Sequence, residues 1–313
     1  MMDDEERELF TKGIEHATVA SSGADLDAAL DALGWRDALD LDPAATIAAV
    51  FANQGAAGST SSALDVVLAT ALGLEIDAET AVILPTLGSV APPGTGALDV
   101  RGLTTSSAAD RPRAVIVSDA GIAHTVDTAK LTTRAVQGID PRLGLVELTA
   151  SGISSLETVA VDRWPEAVAA GQRALAHELV GASRTMLRLA RDHAVERVQF
   201  DRPIAGFQAV RHRLAESLVA IEAAEAAATA AGEDGTWPIP AVAKAVAGRS
   251  ARTVARHCQQ VLAGIGFTTE HTLHHYVRRV LVLDHLLGSS RALTTALGEE
   301  LLEARRLPRL LPL

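Results

Sequence analysis

The stretch Glu196-Arg-Val-Gln-Phe-Asp-Arg-Pro-Ile-Ala-Gly-Phe-Gln-Ala-Val-Arg-His-Arg-Leu214 joins two long alanine-rich segments. The segment before it ends in a basic residue and a turn. After it, Ile204, Phe207, Val210, Leu214, Leu218 and Ile221 recur at steps of three and four. That spacing predicts a helix over 204–231 with one apolar face, the stripe that a helix bundle buries. Helical period also holds over 165–195 and 239–263, and Gly232-Glu-Asp-Gly-Thr-Trp-Pro238 interrupts it.

Towards the N-terminus the texture changes twice. Residues 3–78 read as short helices, as in Asp25-Leu-Asp-Ala-Ala-Leu-Asp-Ala-Leu33, with a Gly/Ser cluster at 55–62. From Thr80 short β-branched runs appear, namely Ala81-Val-Ile-Leu84, Ala114-Val-Ile-Val117 and Gly144-Leu-Val-Glu-Leu148, separated by turns such as Pro92-Pro-Gly-Thr-Gly96. Helical period returns after Trp164-Pro165. The chain is thus expected to be mainly α with a small β-domain: N-terminal helices over 1–78, a middle β-barrel-like domain over 79–160, and a C-terminal four-helix bundle over 161–313.

With 313 residues, 48% of them hydrophobic, the chain can bury a large core. A net charge of −11 argues against a nucleic-acid surface, which needs clustered cations. Acids dominate the first eighty residues, whereas the last half is arginine-rich, as a surface facing a phosphate-bearing cofactor would be. No apolar run reaches membrane-spanning length, and Met-Met-Asp-Asp-Glu-Glu opens with acids where a signal peptide carries cations; a cytoplasmic protein is expected. The single cysteine, Cys258, excludes an internal disulfide framework.

Two blocks could carry chemistry. Arg197 offers a guanidinium fork that matches a diphosphate in a way that lysine cannot, with Phe200 beside it. The bland alternative is an arginine at a helix C-terminus and a phenylalanine in the core. Ala263-Gly-Ile-Gly-Phe267 contains a Gly-x-Gly, but it follows a helix and so is no Rossmann fingerprint. Taken alone it is a helix stop whose glycines also permit close approach to a ligand. His271 and His275 have i, i+4 spacing, yet His-Glu-x-x-His spacing is absent, and no metal is expected.

Together the 196–214 block, the Gln259–His271 block and Asp284-His-Leu-Leu-Gly-Ser-Ser290 resemble the acyl-CoA dehydrogenase family. The resemblance is specific over roughly 165–313 and extends to the first half in layout only, where the helical region is shorter than usual for the family. It implies that Arg197 meets the diphosphate of a neighbouring subunit's FAD and Phe200 the cofactor itself. Gln199, Phe207 and Gln208 would lie beside them, and Gln260 and Gly264 would face the adenosine end; Ala263 replaces a family glycine. The family's Glu-His-x-x-His run holds no metal.

Other family features are missing. Leu287 stands where the resemblance places the catalytic glutamate, and the alternative position falls at about Gly171-Gln172, so no catalytic residue is assigned. Loops that grip the flavin ring are replaced by Leu84-Pro-Thr-Leu-Gly-Ser89 and Val117-Ser-Asp-Ala-Gly121. The resemblance therefore points to short non-catalytic subunits of actinobacterial α2β2 members acting on steroid-derived CoA thioesters, inactive alone. Its partner would be a full-length acyl-CoA dehydrogenase subunit that binds most of the acyl-CoA, with electron-transfer flavoprotein as electron acceptor and FAD shared between the subunits. Two rivals stay open: a flavin-free structural or regulatory protein, and a self-sufficient flavoenzyme using Asp284 or His285 as base.

Overall fold

The computed structural model describes residues 4–305. Five helices come first: α1 (Asp4–Ala20), α2 (Ala24–Ala32), α3 (Trp35–Leu41), α4 (Pro43–Ala57) and α5 (Ala63–Leu72). Their ends follow local chemistry. The Asp42 carboxylate accepts from Ala45 N at 3.2 Å and Pro43 occupies the first turn of α4, while Gly58 and Gly73 close α4 and α5 at left-handed φ of 67° and 74°. Ile14, Leu26, Leu30, Trp35, Ile47 and Phe51 form the core of this unit.

The β-domain comprises β1 (Thr80–Val82), β2 (Gly94–Thr95), β3 (Asp99–Thr105), the short α6 (Ser106–Ala109), β4 (Arg113–Val117), β5 (Ile122–Asp127), β6 (Thr132–Ala135), β7 (Leu145–Ala150) and β8 (Glu157–Ala160). They make two four-stranded sheets, β1-β4-β5-β8 and β2-β3-β7-β6. Only β1 and β4 run parallel, and bridges Leu84–Leu103 and Gly94–Ser118 stitch the sheets into a barrel-like body. Ile83, Val100, Ile116, Val126 and Leu148 fill it.

The bundle follows: α7 (Trp164–Glu196), a hairpin of β9 (Val198–Gln199) and β10 (Arg202–Pro203), α8 (Gln208–Glu233), α9 (Ile239–Leu262), α10 (Leu273–Leu283) and α11 (Ser290–Ala304). The expected helix over 204–231 begins later, at Gln208, because Ile204–Gly206 form a 3-10 turn. The expected apolar stripe holds in large part: Ile221 is buried, and Ile204, Val210 and Leu214 pack half-buried against the core. Ser217, Ile221, Ala224, Ala228 and Ala231 are the buried face of α8, whereas Leu218 is 46% exposed. Small residues let α8 lie close to α7 and α9. Among the described residues no helix is long and apolar enough to cross a membrane.

The N-terminal unit is clamped to the bundle where α4 crosses α7. A Cβ on Gly55 would lie 2.0 Å from Glu178 O, and one on Gly181 would lie 2.0 Å from Ala52 O. Around this backbone contact, the carbonyls at the end of α4 are capped from the bundle. Ala56 O accepts from Thr185 Oγ1 at 2.9 Å and Tyr276 OH at 3.0 Å, and Ser59 O accepts from Arg279 Nη1 at 2.8 Å. Arg279 Nε also donates to Asp140 of the β-domain at 2.6 Å, and Glu178 lies 3.7 Å away. Burial pushes the Glu178 carboxyl above the usual range, against the pull of Arg279.

Gly55→Ala or Gly181→Ala should force α4 off α7 and lower stability by about 1–3 kcal/mol, read as a fall in melting temperature. An unchanged melting temperature would mean that the two helices separate without cost.

Candidate functional site

Arg197 is the residue that ends α7. Its N–H closes the helix on His193 O at 2.8 Å, and its carbonyl accepts from Ile204 N at 2.8 Å. Between them the β9–β10 hairpin turns at Phe200 and Asp201, both left-handed with φ of 52° and 59°. Primed turns of this kind suit Asn-Gly, so Phe-Asp is held there against its preference. Phe200 is 86% exposed, which excludes the core reading of this side chain. Its edge meets Phe207 with centroids 6.0 Å apart, and the Arg202 guanidinium stacks 4.2 Å over the Phe207 ring. Arg202 was not marked by its spacing; stacking on Phe207 becomes visible only once the hairpin closes.

The side chains of Arg197, Gln199 and Gln208 are exposed, and Arg197 makes no ion pair among the described residues. Gln208 opens α8 and lines a shallow groove with Arg211, His212, Ala215, Glu216 and Val219.

Helix α9 runs back along α8, with His257 of α9 facing Ser217 at 3.4 Å and Glu216 at 3.6 Å. The end of α9 therefore returns to the start of α8, beside the end of α7. Gln260 and Gly264 lie there and are exposed. Ala263 keeps a φ of 53°, a conformation that favours glycine. Gly264 differs: its φ is ordinary, and a Cβ on it would meet nothing within 4 Å. This chain's own fold does not require glycine at 264. The structure thus gathers all seven predicted cofactor-facing residues at one end of the bundle, together with exposed Val198, Ile265 and Phe267.

The turn after α10 is built differently. Lys244, fully buried, donates to Asp284 O at 3.0 Å and Gly288 O at 3.3 Å, and Gln172 Nε2 donates to Leu287 O at 3.0 Å. Burial pulls the Lys244 amine down to about 8. The Asp284 carboxylate is also fully buried, accepting from Ser290 N at 3.0 Å and pairing with Arg252 at 3.2 Å, so it serves as a staple of the turn. His285 is exposed, and its carbonyl accepts from Gly88 N at 2.7 Å.

These contacts hold Leu287 at a left-handed φ of 52°, buried to 1%. Its side chain lies on Gly171, where a Cβ would come within 2.4 Å of Leu287 Cδ1, with Leu68 and Leu64 close by. The two positions at which the resemblance places a carboxylate, Leu287 and Gly171-Gln172, therefore face one spot, and hydrocarbon fills it. That pairing of Gly171 with Leu64 and Leu68 left no signal in the linear sequence.

Loop 84–89 borders a cleft of about 670 Å³ lined by Thr86, Leu87, Leu103, Arg101, Arg134 and Glu147. Arg101 and Arg134 bond Glu147 from neighbouring strands at 3.2 and 3.1 Å, and they hold its carboxyl below the usual range. This floor is ionic. The expected His271/His275 pair on one helix is corrected, since α10 begins at Leu273 and His271 Nδ1 accepts from Leu273 N at 3.1 Å. Among the described residues no three His, Cys, Asp or Glu side chains converge on a metal position.

Residues 166–302 match the family described as acyl-CoA dehydrogenase, C-terminal domain. The chain is 38% identical over 130 residues to acyl-CoA dehydrogenase IpdE2 of Mycobacterium tuberculosis, an alignment covering 42% of this chain and 41% of IpdE2. It is 38% identical over 176 residues to acyl-CoA dehydrogenase FadE34 of the same organism, covering 53% of this chain and 24% of FadE34. The chain thus spans well under half the length of these curated relatives. Among solved structures, the Tcur3481-Tcur3483 steroid ACAD superposes with a TM-score of 0.76 at 21% identity, covering 96% of both chains. The ChsE4-ChsE5 complex from Mycobacterium tuberculosis gives 0.74 at 19% identity over 99% of both. Butyryl-CoA dehydrogenase from Megasphaera elsdenii gives 0.72 at 15% identity, covering 96% of this chain and 99% of that one. The second half of the chain thus matches the C-terminal domain of acyl-CoA dehydrogenases, and nearly its whole length has the fold of these solved structures.

Proposed function

We propose that this chain is the non-catalytic subunit of a heteromeric FAD-dependent acyl-CoA dehydrogenase and completes the flavin site of a longer partner. One contrast carries the reading. The residues suited to a neighbour's flavin stand exposed at one end of the bundle, whereas the position for a proton-abstracting carboxylate is filled by Leu287 against Gly171. When bound, FAD accepts the β-hydride of an acyl-CoA, and a base must take the α-proton.

Arg197 has a free guanidinium for a diphosphate, Gly264 leaves open space for close approach, and the Phe200–Phe207 pair offers an apolar edge. Gln199, Gln208 and Gln260 supply hydrogen bonds around them. The cleft beside loop 84–89 fits a ring poorly, because Arg101, Glu147 and Arg134 span its floor. In this reading the partner supplies the base, holds the ring and most of the acyl-CoA, and passes electrons to electron-transfer flavoprotein. The steroid ACAD and the ChsE4-ChsE5 complex among the fold neighbours support a steroid-derived CoA thioester and a heteromer, and the reaction is α,β-desaturation.

Expressed alone, the chain should be colourless or poorly soluble; co-expression with a longer dehydrogenase carrying the catalytic glutamate should give a yellow assembly with one FAD per heterodimer. Recovery of a stable, FAD-saturated homo-oligomer from this chain alone would overturn the proposal.

Arg197→Ala should leave thermal stability within about 0.5 kcal/mol, as expected of an exposed side chain. In the assembly it should weaken flavin retention by about 2–4 kcal/mol, the scale of removing one partner from a buried charged hydrogen bond. Full flavin content in the variant assembly would return Arg197 to a simple helix-end role.

Leu287→Ala should destabilise the chain by about 2–5 kcal/mol through the cavity it opens. Turnover per assembled flavin should stay unchanged, measured as dye reduction at saturating substrate. A large loss of turnover at full assembly and flavin content would place chemistry at this turn.

A further inference from the structure

We infer that the stripe of His274, His275 and Arg278 at the start of α10 and His271 just before it, faced by His193 of α7 and Arg142 of the turn at 141–143, is an anion site that takes a phosphoryl group. It is distinct from Arg197, and it does not rest on the proposed flavin role.

The ring orientations are fixed by backbone contacts. His271 Nδ1 accepts from Leu273 N at 3.1 Å, so the neutral ring carries its proton on Nε2 and offers it as a donor. His274 Nδ1 donates to His271 O at 2.7 Å, which leaves its Nε2 free. His275 lies against His274 with ring centroids 3.8 Å apart. His274, His275 and Arg278 stand in the first turns of α10 with His271 in the turn before it, and all four side chains are half-buried.

Countercharge is missing. Asp140 is the carboxylate whose charge reaches His275, and Arg279 already holds it at 2.6 Å. Asp192 is taken by Arg191 at 2.7 Å, and exposed Glu270 forms no ion pair with the stripe. Among the described residues neither Arg142 nor Arg278 has an ion-pair partner. Burial, with the charges of His193 and His274, holds His271 below the ordinary histidine value; burial, Arg142, His274 and Arg278 do the same to His275.

Histidine and arginine side chains from three elements thus act on one stretch, and among the described residues no ion pair neutralises Arg142 or Arg278. A phosphoryl group brings three acceptor oxygens and up to two charges, where a carboxylate brings two oxygens and one charge. By linkage, a bound anion raises the histidine pKa values. Affinity is then fully present below the free-state values and is lost as pH rises through the bound-state values.

The probe is inorganic pyrophosphate, titrated calorimetrically into the full chain in the assembly in which it purifies, at about pH 6 and about pH 8 and constant ionic strength. Binding is expected at the lower pH and should weaken about tenfold or more at the higher. In flavin-stripped assembly His275→Gln and Arg278→Gln should each weaken it about tenfold, and Arg197→Ala should leave it intact. His271 is spared because its ring caps α10. Comparing flavin-loaded with flavin-stripped assembly separates the sources: blockade by loading means that the phosphoryl group belongs to the cofactor, and equal binding means a free phosphorylated ligand. No binding at the lower pH, indifference to both stripe variants, or loss of binding in Arg197→Ala would each overturn the proposal.

Discussion

The backbone-to-backbone crossing of α4 and α7 is the constraint on which the rest of the molecule depends. Two glycines, Gly55 and Gly181, allow each helix to lie against a carbonyl of the other. At that distance the C-terminal carbonyls of α4 come within reach of Thr185, Tyr276 and Arg279, so a helix end that would otherwise need water is capped by the bundle. Arg279 then reaches Asp140, which registers the β-domain on the same point. A buried guanidinium with one partner removed would be costly, and this one is surrounded on all sides by acceptors. N-terminal unit, β-domain and bundle are held by one side chain whose position is set by the absence of two others.

Much of this order was legible in the sequence. Helical period, β-branched runs and Pro/Gly turns mark the three regions, because they report local propensity and burial pattern directly. The break at 232–238 and the beginning of α7 at Trp164-Pro165 were visible for the same reason. The buried face of α8 was legible in part. Ile221, Val210 and Leu214 of the spaced stripe meet the core and Leu218 does not, while Ser217 and three alanines complete the contact, since close packing of long helices selects small residues. Periodicity finds a face; it does not find how near the neighbouring helix lies.

At the site, the residues of the 197–208 and 260–264 blocks were legible as motifs, and the structure brings them to one end of the bundle. Their exposure could not be read, and for Phe200 the bland expectation was the opposite of what is found. Neither could the arrangement around Leu287, where Gly171, Leu64 and Leu68 come from two other helices. The turn itself is still pinned by Lys244, Gln172 and Asp284 in a conformation that leucine has no reason to prefer. Buried hydrogen bonds thus fix the turn, and the side chain at its apex is an alkyl group.

The bare aromatic hairpin has a bearing on the life of the chain in a cell. The chain by itself shows an almost fully accessible Phe200 at the tip of a two-residue turn, with Val198 and Phe267 also exposed. Surfaces of that kind are what chaperones retain and proteases sample. If the chain works in the proposed heteromer, clearance of unpaired copies would be written into the same few exposed residues, which would keep the two subunits in proportion without any dedicated regulator.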